Sequence, residues 1–567
     1  MPHYLFSYTH PHRHFVDIDM TVDVRGEEYL YFQLPTWRPG RYELGNFASN
    51  IQKWSAYSEK GEQLPHQKIT KDKWRVEAKD AKRVTITYNY YANQLDAGST
   101  YLDEQQLYVN PVNCCMYVVD RIEEECTIEL EVPEDYEIAC SLQKISKHIM
   151  KAFCFDSLVE SPFIASNSLQ YDMYEVEGVS FHLWFQGHST PPFKKIKKDF
   201  TSFTQEQIAC FGGFPCSEYH FLFQITPYKS YHGVEHTNST VILLGSEKDI
   251  FEDRYDDLLG ISSHELYHTW NIKAIRPDEM FPYDYTQENY SRLGYVAEGV
   301  TTYMGDLMLY RSGVFNWEQF AKTQNENLKR HLENEGRHNM SVADSSFDTW
   351  LDGYKIGIPN RKTSIYTEGA LCMLMIDSLI ISHSEGKHSL HDVMRFLYTD
   401  YALKDKSYNE DDFQSLCVQY GGLEVTQIFS QHIYGTEDYL PSLKKILPKI
   451  ALQINFLKNP SLTARLFGFL TAKIEGKTII KKMVNGSFSD KAGIAVGDEI
   501  LSINGKLIEK SINDYLSEDL HEVTFQLKRR FEIKNVTIKT GRYYSLQQLQ
   551  QLEATDELKQ LRKFWGK

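Results

Sequence analysis

Residues 264–268 read His264-Glu265-Leu266-Tyr267-His268, and the spacing of this run decides how the middle of the chain must fold. On an α-helix each residue advances about 100°, so His264, Glu265 and His268 share one face and their side chains point at one spot. Two imidazole nitrogens suit Zn²⁺, and the carboxylate beside them stands near enough to take a proton without being a ligand itself. A catalytic zinc site needs a third protein ligand and an open position, and for this pattern a carboxylate on a following helix is the usual supplier. Glu298 qualifies. It lies in Ala297-Glu298-Gly299-Val300-Thr301-Thr302-Tyr303-Met304-Gly305-Asp306-Leu307, where Val300, Tyr303, Met304 and Leu307 recur at helical spacing and would bury one face. About 30 residues separate it from His268, long enough for the chain to leave one helix, turn at Arg276-Pro277 and Phe281-Pro282, and return. One zinc ion per chain is expected, held by His264, His268 and Glu298, with Glu265 as the general base.

The rest of the chain divides around this site. From residue 1 to about 165, segments such as Glu28 to Leu34, Arg83 to Tyr91 and Cys126 to Val132 alternate with turn residues, as in an antiparallel, β-sandwich-like domain. No acid–base cluster stands out there. From 166 to 458 strands give way to long helical patterns over Tyr255 to Asn271, Val296 to Arg311, Trp317 to Glu335 and Tyr366 to Ser384. Residues 461–541 form a third unit of short apolar strands punctuated by Gly and Asn-Gly. Its run Lys491-Ala492-Gly493-Ile494-Ala495-Val496-Gly497-Asp498-Glu499-Ile500-Leu501-Ser502-Ile503-Asn504-Gly505 looks like a PDZ domain. Leu466-Phe467-Gly468-Phe469 is then the candidate carboxylate-binding loop, with Phe467, Gly468 and Phe469 against a peptide added as a strand. The tail 545–567 places Leu546, Leu549, Leu552 and Leu558 among charged residues, and reads as a short amphipathic helix docked on the body or on a partner.

Composition narrows the function classes. The 567 residues include 61 Lys and Arg against 77 Asp and Glu, a net charge of −16, which offers no electrostatic footprint for nucleic acid or an anionic membrane. No stretch approaches the roughly 18 uninterrupted apolar residues of a transmembrane helix. Nine scattered cysteines without CxxC spacing read as reduced, mostly buried thiols, which favours the cytoplasm.

The run HELYHTWNIKAIRP from His264 to Pro277, followed by Tyr295-Val296-Ala297-Glu298-Gly299-Val300-Thr301, resembles the M61 family of metallopeptidases, the glycyl aminopeptidase family. Pro35-Thr36-Trp37-Arg38-Pro39-Gly40-Arg41-Tyr42 is similar to that family's PxWxPGxY signature. Gly233-Val234-Glu235-His236 is similar to its GGxEH segment and, more distantly, to the GxMEN exopeptidase motif of M1 aminopeptidases. Tyr366-Thr367-Glu368-Gly369-Ala370-Leu371 resembles its Tyr-x-x-Gly-Ala-Leu segment. His232 stands where the family has a first Gly. The resemblance implies a multidomain α+β protein: an N-terminal β-rich domain, a thermolysin-like catalytic domain and a C-terminal PDZ-like domain. It also implies an aminopeptidase acting on peptides with a free N-terminus, such as Gly or Ala, with Tyr366 hydrogen-bonded to the oxyanion and Glu235, beside Gly233, pairing with the substrate's α-ammonium. A zinc endopeptidase would use the same metal residues without the amine clamp, and a peptide-binding scaffold would rest on the PDZ-like unit and the β domain alone.

Overall fold

The computed structural model describes residues 1–355 and 357–566. In the strand Phe15–Asp23, Val16, Ile18, Met20 and Val22 are buried and alternate with more exposed neighbours, the period-two pattern of a half-buried strand. It lies in a seven-stranded sheet ordered Gln143–Lys144, Ile149–Ala152, Cys126–Leu130, His3–Ser7, Phe15–Asp23, Arg83–Tyr91, Ile51–Ser58. One pair departs from the antiparallel expectation: His3–Ser7 and Cys126–Leu130 run parallel. A parallel pair needs a long crossover, and here the chain between the two strands builds other sheets on the way. Two four-stranded sheets, one around Tyr29–Gln33 and Lys73–Glu77, the other around Phe163–Ser166 and Gln106–Val109, complete the β-rich region.

The middle of the chain is organised on a five-stranded sheet ordered Leu169–Val176, Val179–Gln186, Glu218–Ile225, Ser239–Gly245, His232–Glu235. The three inner strands are parallel, and Ser239–Gly245 is buried along its whole length, as parallel strands covered on both faces are. His232–Glu235 runs antiparallel at the edge. The helices Tyr255–Tyr267, Thr301–Arg311, Trp317–Leu332 and Thr367–His383 follow. Every residue from Thr367 to Ile381 is buried, so this last helix is the axis of the core rather than an amphipathic cover. Its Asp377 accepts hydrogen bonds from the Tyr303 hydroxyl (2.6 Å) and the Leu390 N–H (2.7 Å).

The PDZ-like unit is a sheet ordered Phe469–Ile474, Lys477–Met483, Glu499–Ile503, Glu522–Arg529, Glu532–Lys539, with Lys506–Leu507 folded back on Glu499–Ile503. The chain arrives through the strand Leu452–Leu457 and departs through Leu546–Gln551, which pair antiparallel with Leu457 opposite Leu546. This corrects the tail, where only Asp556–Trp565 is helical. The three-residue spacing of Leu546, Leu549 and Leu552 suits a helix face, yet the segment is captured by the otherwise unpaired strand Leu452–Leu457, and tertiary pairing overrides local pattern. The helix ends in Trp565, fully buried against Tyr310 and Phe320, with its indole N–H donating to Tyr303 Oη at 2.8 Å. Among the described residues no helix is long and apolar enough to cross a membrane, and the nine cysteines are free thiols, seven of them buried.

Candidate active site

His264 and Glu265 sit in the last turn of the helix Tyr255–Tyr267, and His268 caps it. The His268 Nδ1 lies 2.9 Å from the carbonyl oxygen of Asn271. A carbonyl can only accept, so Nδ1 carries a proton and Nε2 is the nitrogen turned to the site. Asn271 in turn donates from Nδ2 to the carbonyls of Val296 (2.9 Å) and Ala297 (3.2 Å) and to Thr301 Oγ1 (3.0 Å), which locks the motif helix to the segment bearing Glu298. That segment, Tyr295–Val300, is a π-helical turn leading into Thr301–Arg311, a distortion found often at functional sites.

The three expected ligands converge. His264 Nε2 and His268 Nε2 are 3.0 Å apart, and Glu298 Oε2 is 3.6 Å and 3.4 Å from them. Four ligands around zinc at about 2.1 Å stand about 3.4 Å from one another, so the side chains already hold the spacing of three corners of a tetrahedron. Charge agrees with geometry. Burial pushes the Glu298 carboxyl up, but the facing His264 and His268 imidazoles override it and hold the pKa at about 2. Burial pushes His268 down, and Glu298 more than reverses this, raising it to about 9. The pocket recruits positive charge onto an imidazole, and a divalent cation there would meet the same demand. Glu265, 5 % exposed, has its pKa raised to about 8 by burial, with Glu235 and Glu298 adding to the effect against His268. Its Oε2 is buried without a hydrogen-bond partner.

The walls come from distant parts of the chain. Gly233, on the edge strand, runs so close to Glu265 that a Cβ would collide with the carboxylate. Glu235, two residues on, brings a carboxylate oxygen within 4.8 Å of donor atoms of Glu265 and His268. It packs against Gly40, where a Cβ would collide with it. Tyr42, buried, donates its hydroxyl to Glu298 Oε1 at 3.4 Å, fixing the oxygen that does not face the imidazoles. Tyr42 was missed in the sequence, where the β-rich region offers no acid–base cluster; the one signal is its place at the end of Pro35 to Tyr42. Gly299 meets Gly369 so closely that a Cβ on Gly299 would stand 2.5 Å from Gly369 Cα. This contact brings up the start of the helix Thr367–His383 with Tyr366, whose ring centroid lies 6.5 Å from that of His264. Tyr366 is 38 % exposed, so it is no packed core residue. Behind the site, Lys273 Nζ and Glu160 form a buried ion pair at 2.9 Å that ties the β-rich region to the motif segment.

Phe467 and Phe469 are not brought to any surface. Both are fully buried in the small core of the PDZ-like unit, because a domain of this size needs its aromatic rings inside. Gly468, at φ 73°, supplies the left-handed turn between them. A second cluster, His182, Glu218 and His220, differs from the first in one respect. Trp184 Nε1–H donates to His220 Nδ1 at 3.2 Å, which puts the imidazole proton on Nε2, the atom facing Glu218 at 3.8 Å. With its proton on Nε2, His220 offers no lone pair at the atom facing Glu218, so that cluster is not a ligand set.

Three families match the chain: the Peptidase M61 N-terminal domain over residues 3–167, the M61 glycyl aminopeptidase over 257–372, and a PDZ domain over 479–523. No curated protein sequence matches. Among solved structures, an aminopeptidase N family protein from Idiomarina loihiensis superposes with a TM-score of 0.91 at 25 % identity, covering 99 % of this chain and 100 % of its own. An M1 zinc metallopeptidase from Deinococcus radiodurans is far more distant, at 12 % identity and a TM-score of 0.49 over 77 % of this chain and 94 % of its own. With M61 matches over the β-rich region and over the segment that holds the converging histidines and Glu298, the chain belongs to the M61 family of metallopeptidases and carries a PDZ domain towards its C-terminus.

Proposed function

We propose that the protein is a zinc-dependent aminopeptidase that removes single residues from the free N-termini of peptides. The observation that carries this reading is the Glu235 carboxylate beside a tetrahedrally spaced set of zinc donors. It is an anion placed where an α-ammonium would lie when the first peptide carbonyl is at the site. His264, His268 and Glu298 would hold the metal, which when bound acidifies a water molecule and polarises the scissile carbonyl. Glu265 takes a proton of the attacking water on its carboxylate and delivers it to the departing amine nitrogen. Tyr366, whose ring lies beside His264, donates its hydroxyl to the oxygen of the tetrahedral intermediate. The mixed sheet with its antiparallel edge strand, followed by the helices, supports a thermolysin-like layout for 166–458. Close approach of Gly40 to Glu235, of Gly233 to Glu265 and of Tyr42 to Glu298 leaves little width beside the amine site and supports small first residues such as Gly or Ala.

The test is hydrolysis of aminoacyl-arylamides and of N-acetylated peptides by one preparation whose zinc content is measured, with a chelator control. Chelator-sensitive cleavage confined to free N-termini, fastest for Gly and Ala, is the expected result. Equal cleavage of blocked peptides would overturn it in favour of an endopeptidase.

A further inference from the structure

Tyr366 also lines a cavity of about 310 Å³, together with Arg330, Asn334, Ser364, Thr367, Glu368 and Lys482. This is the small end of the range for ligand pockets. Its position gives it a direction. Glu235 lies on the His268 and Glu265 side of the zinc donors, whereas Tyr366 lies on the His264 side. A peptide whose amine meets Glu235 and whose first carbonyl meets the zinc donors would then run towards Tyr366 and the cavity it lines.

The chemistry of the far wall is cationic. Arg330 comes from the helix Trp317–Leu332, and Lys482 from the PDZ strand Lys477–Met483. Arg330 is paired with Glu326 at 3.3 Å, one helical turn back. The one acid in the lining, Glu368, is 1 % exposed and turned inward, accepting from the Ser364 N–H at 2.8 Å with His331 Nδ1 at 3.3 Å. Its charge is spent inside the protein, and the mouth keeps the two positive groups.

We propose that Arg330 and Lys482 bind the C-terminal carboxylate of the substrate, so that the enzyme prefers short peptides with a free carboxyl end, and the PDZ domain forms one wall of the substrate cleft. The inference rests on the aminopeptidase reading. A carboxylate reaching this wall pairs with a planar guanidinium and an ammonium at once. Both cations are exposed, so the effect is that of surface ion pairs, about two- to five-fold in affinity. A peptide too long to end in the cavity loses that contact.

The experiment compares free-acid and C-terminally amidated forms of Gly- and Ala-initiated peptides of two to six residues, with an aminoacyl-arylamide as reference on the wild-type protein. The expected result is a KM for the free acid lower than for the amide by about two- to five-fold at one or two lengths, with kcat little changed. Lys482→Ala and Arg330→Ala should each shrink this ratio, and Lys482→Glu should invert it. Equal KM values for acid and amide at every length, with the arylamide cleaved, would refute the carboxylate site alone. A preference that persists unchanged in Lys482→Glu would refute the role of the PDZ wall. An arylamide left intact would instead overturn the aminopeptidase reading beneath both.

Discussion

Replacing Gly299 by Ala probes how the two halves of the candidate active site are held together. The new Cβ would stand 2.5 Å from Gly369 Cα and 2.7 Å from its carbonyl carbon, where carbon atoms in contact prefer about 3.5–4.0 Å. The neighbours are backbone atoms of two buried helical segments, so no side chain can swing aside. The helix Thr367–His383 must retreat from the Glu298 turn by about 1 Å. Overpacking of this kind costs about 1–3 kcal/mol, against which Ala recovers up to about 1 kcal/mol of helix propensity over Gly. Net destabilisation is therefore modest, about 0–2 kcal/mol. Activity is the sharper readout, because Tyr366 moves with the helix while His264 does not, and a misplacement of 1 Å costs about 100-fold in rate. The expected outcome is a folded, zinc-loaded protein whose thermal midpoint falls by a few degrees and whose kcat on a glycyl-arylamide drops by about one to two orders of magnitude. A Gly299→Ala variant with wild-type kcat and unchanged midpoint would refute the close-approach argument, and loss of zinc would show that the ligand turn rather than the Tyr366 helix had moved.

Glu265→Gln should retain zinc, measured by metal analysis, while turnover falls below detection; full activity would remove Glu265 from the role of base. Glu160→Ala leaves the Lys273 ammonium buried without its partner at 2.9 Å, and should lower stability to denaturant by about 3–5 kcal/mol; a loss below 1 kcal/mol would mean that the Lys273 ammonium reaches solvent. Asp377 is pushed up from 3.8 to about 6 by burial, partly offset by its hydrogen bonds from Tyr303 and Leu390. A raised carboxyl in the folded state favours folding below the unfolded value and loses that contribution as pH rises through 6. Asp377→Asn, which cannot ionise, should therefore gain on the wild type by up to about 3 kcal/mol between pH 4 and pH 7. A pH-independent difference between the two would show that Asp377 titrates at its ordinary value.

What was legible in the sequence was local. His264, Glu265 and His268 are fixed by one helical turn, and Glu298 by the apolar periodicity that follows it, so the converging set could be named without coordinates. Glu235 and Tyr366 came from resemblance alone, since nothing in their own neighbourhoods points to the site. The roles of Tyr42 and Gly40 were illegible for a different reason: they depend on how the β-rich region docks against Glu298 and Glu235, roughly 200 or more residues away, and no periodicity encodes that. In the Phe467-Gly468-Phe469 run the local motif did not tell that both rings are drawn into the small core, which leaves only the backbone of this loop to meet an added peptide. The strand Leu546–Gln551 was misread as helix because its three-residue spacing was visible and its partner, Leu452–Leu457, was nearly a hundred residues distant.

The pairing of Leu457 with Leu546 has a modular consequence. To the rest of the molecule, these two strands are a hairpin, and the whole PDZ domain occupies the place of its turn. Loop closure grows only as the logarithm of loop length, so exchanging that domain for a tight turn asks nothing of the body except a new connection between adjacent strand ends. Such a cassette can be gained, lost or swapped by recombination while the metal-binding half goes on folding as before. In this chain, what hangs in the turn also reaches back to the cleft through Lys482, so shuffling the cassette would retune which peptides fit without touching the chemistry.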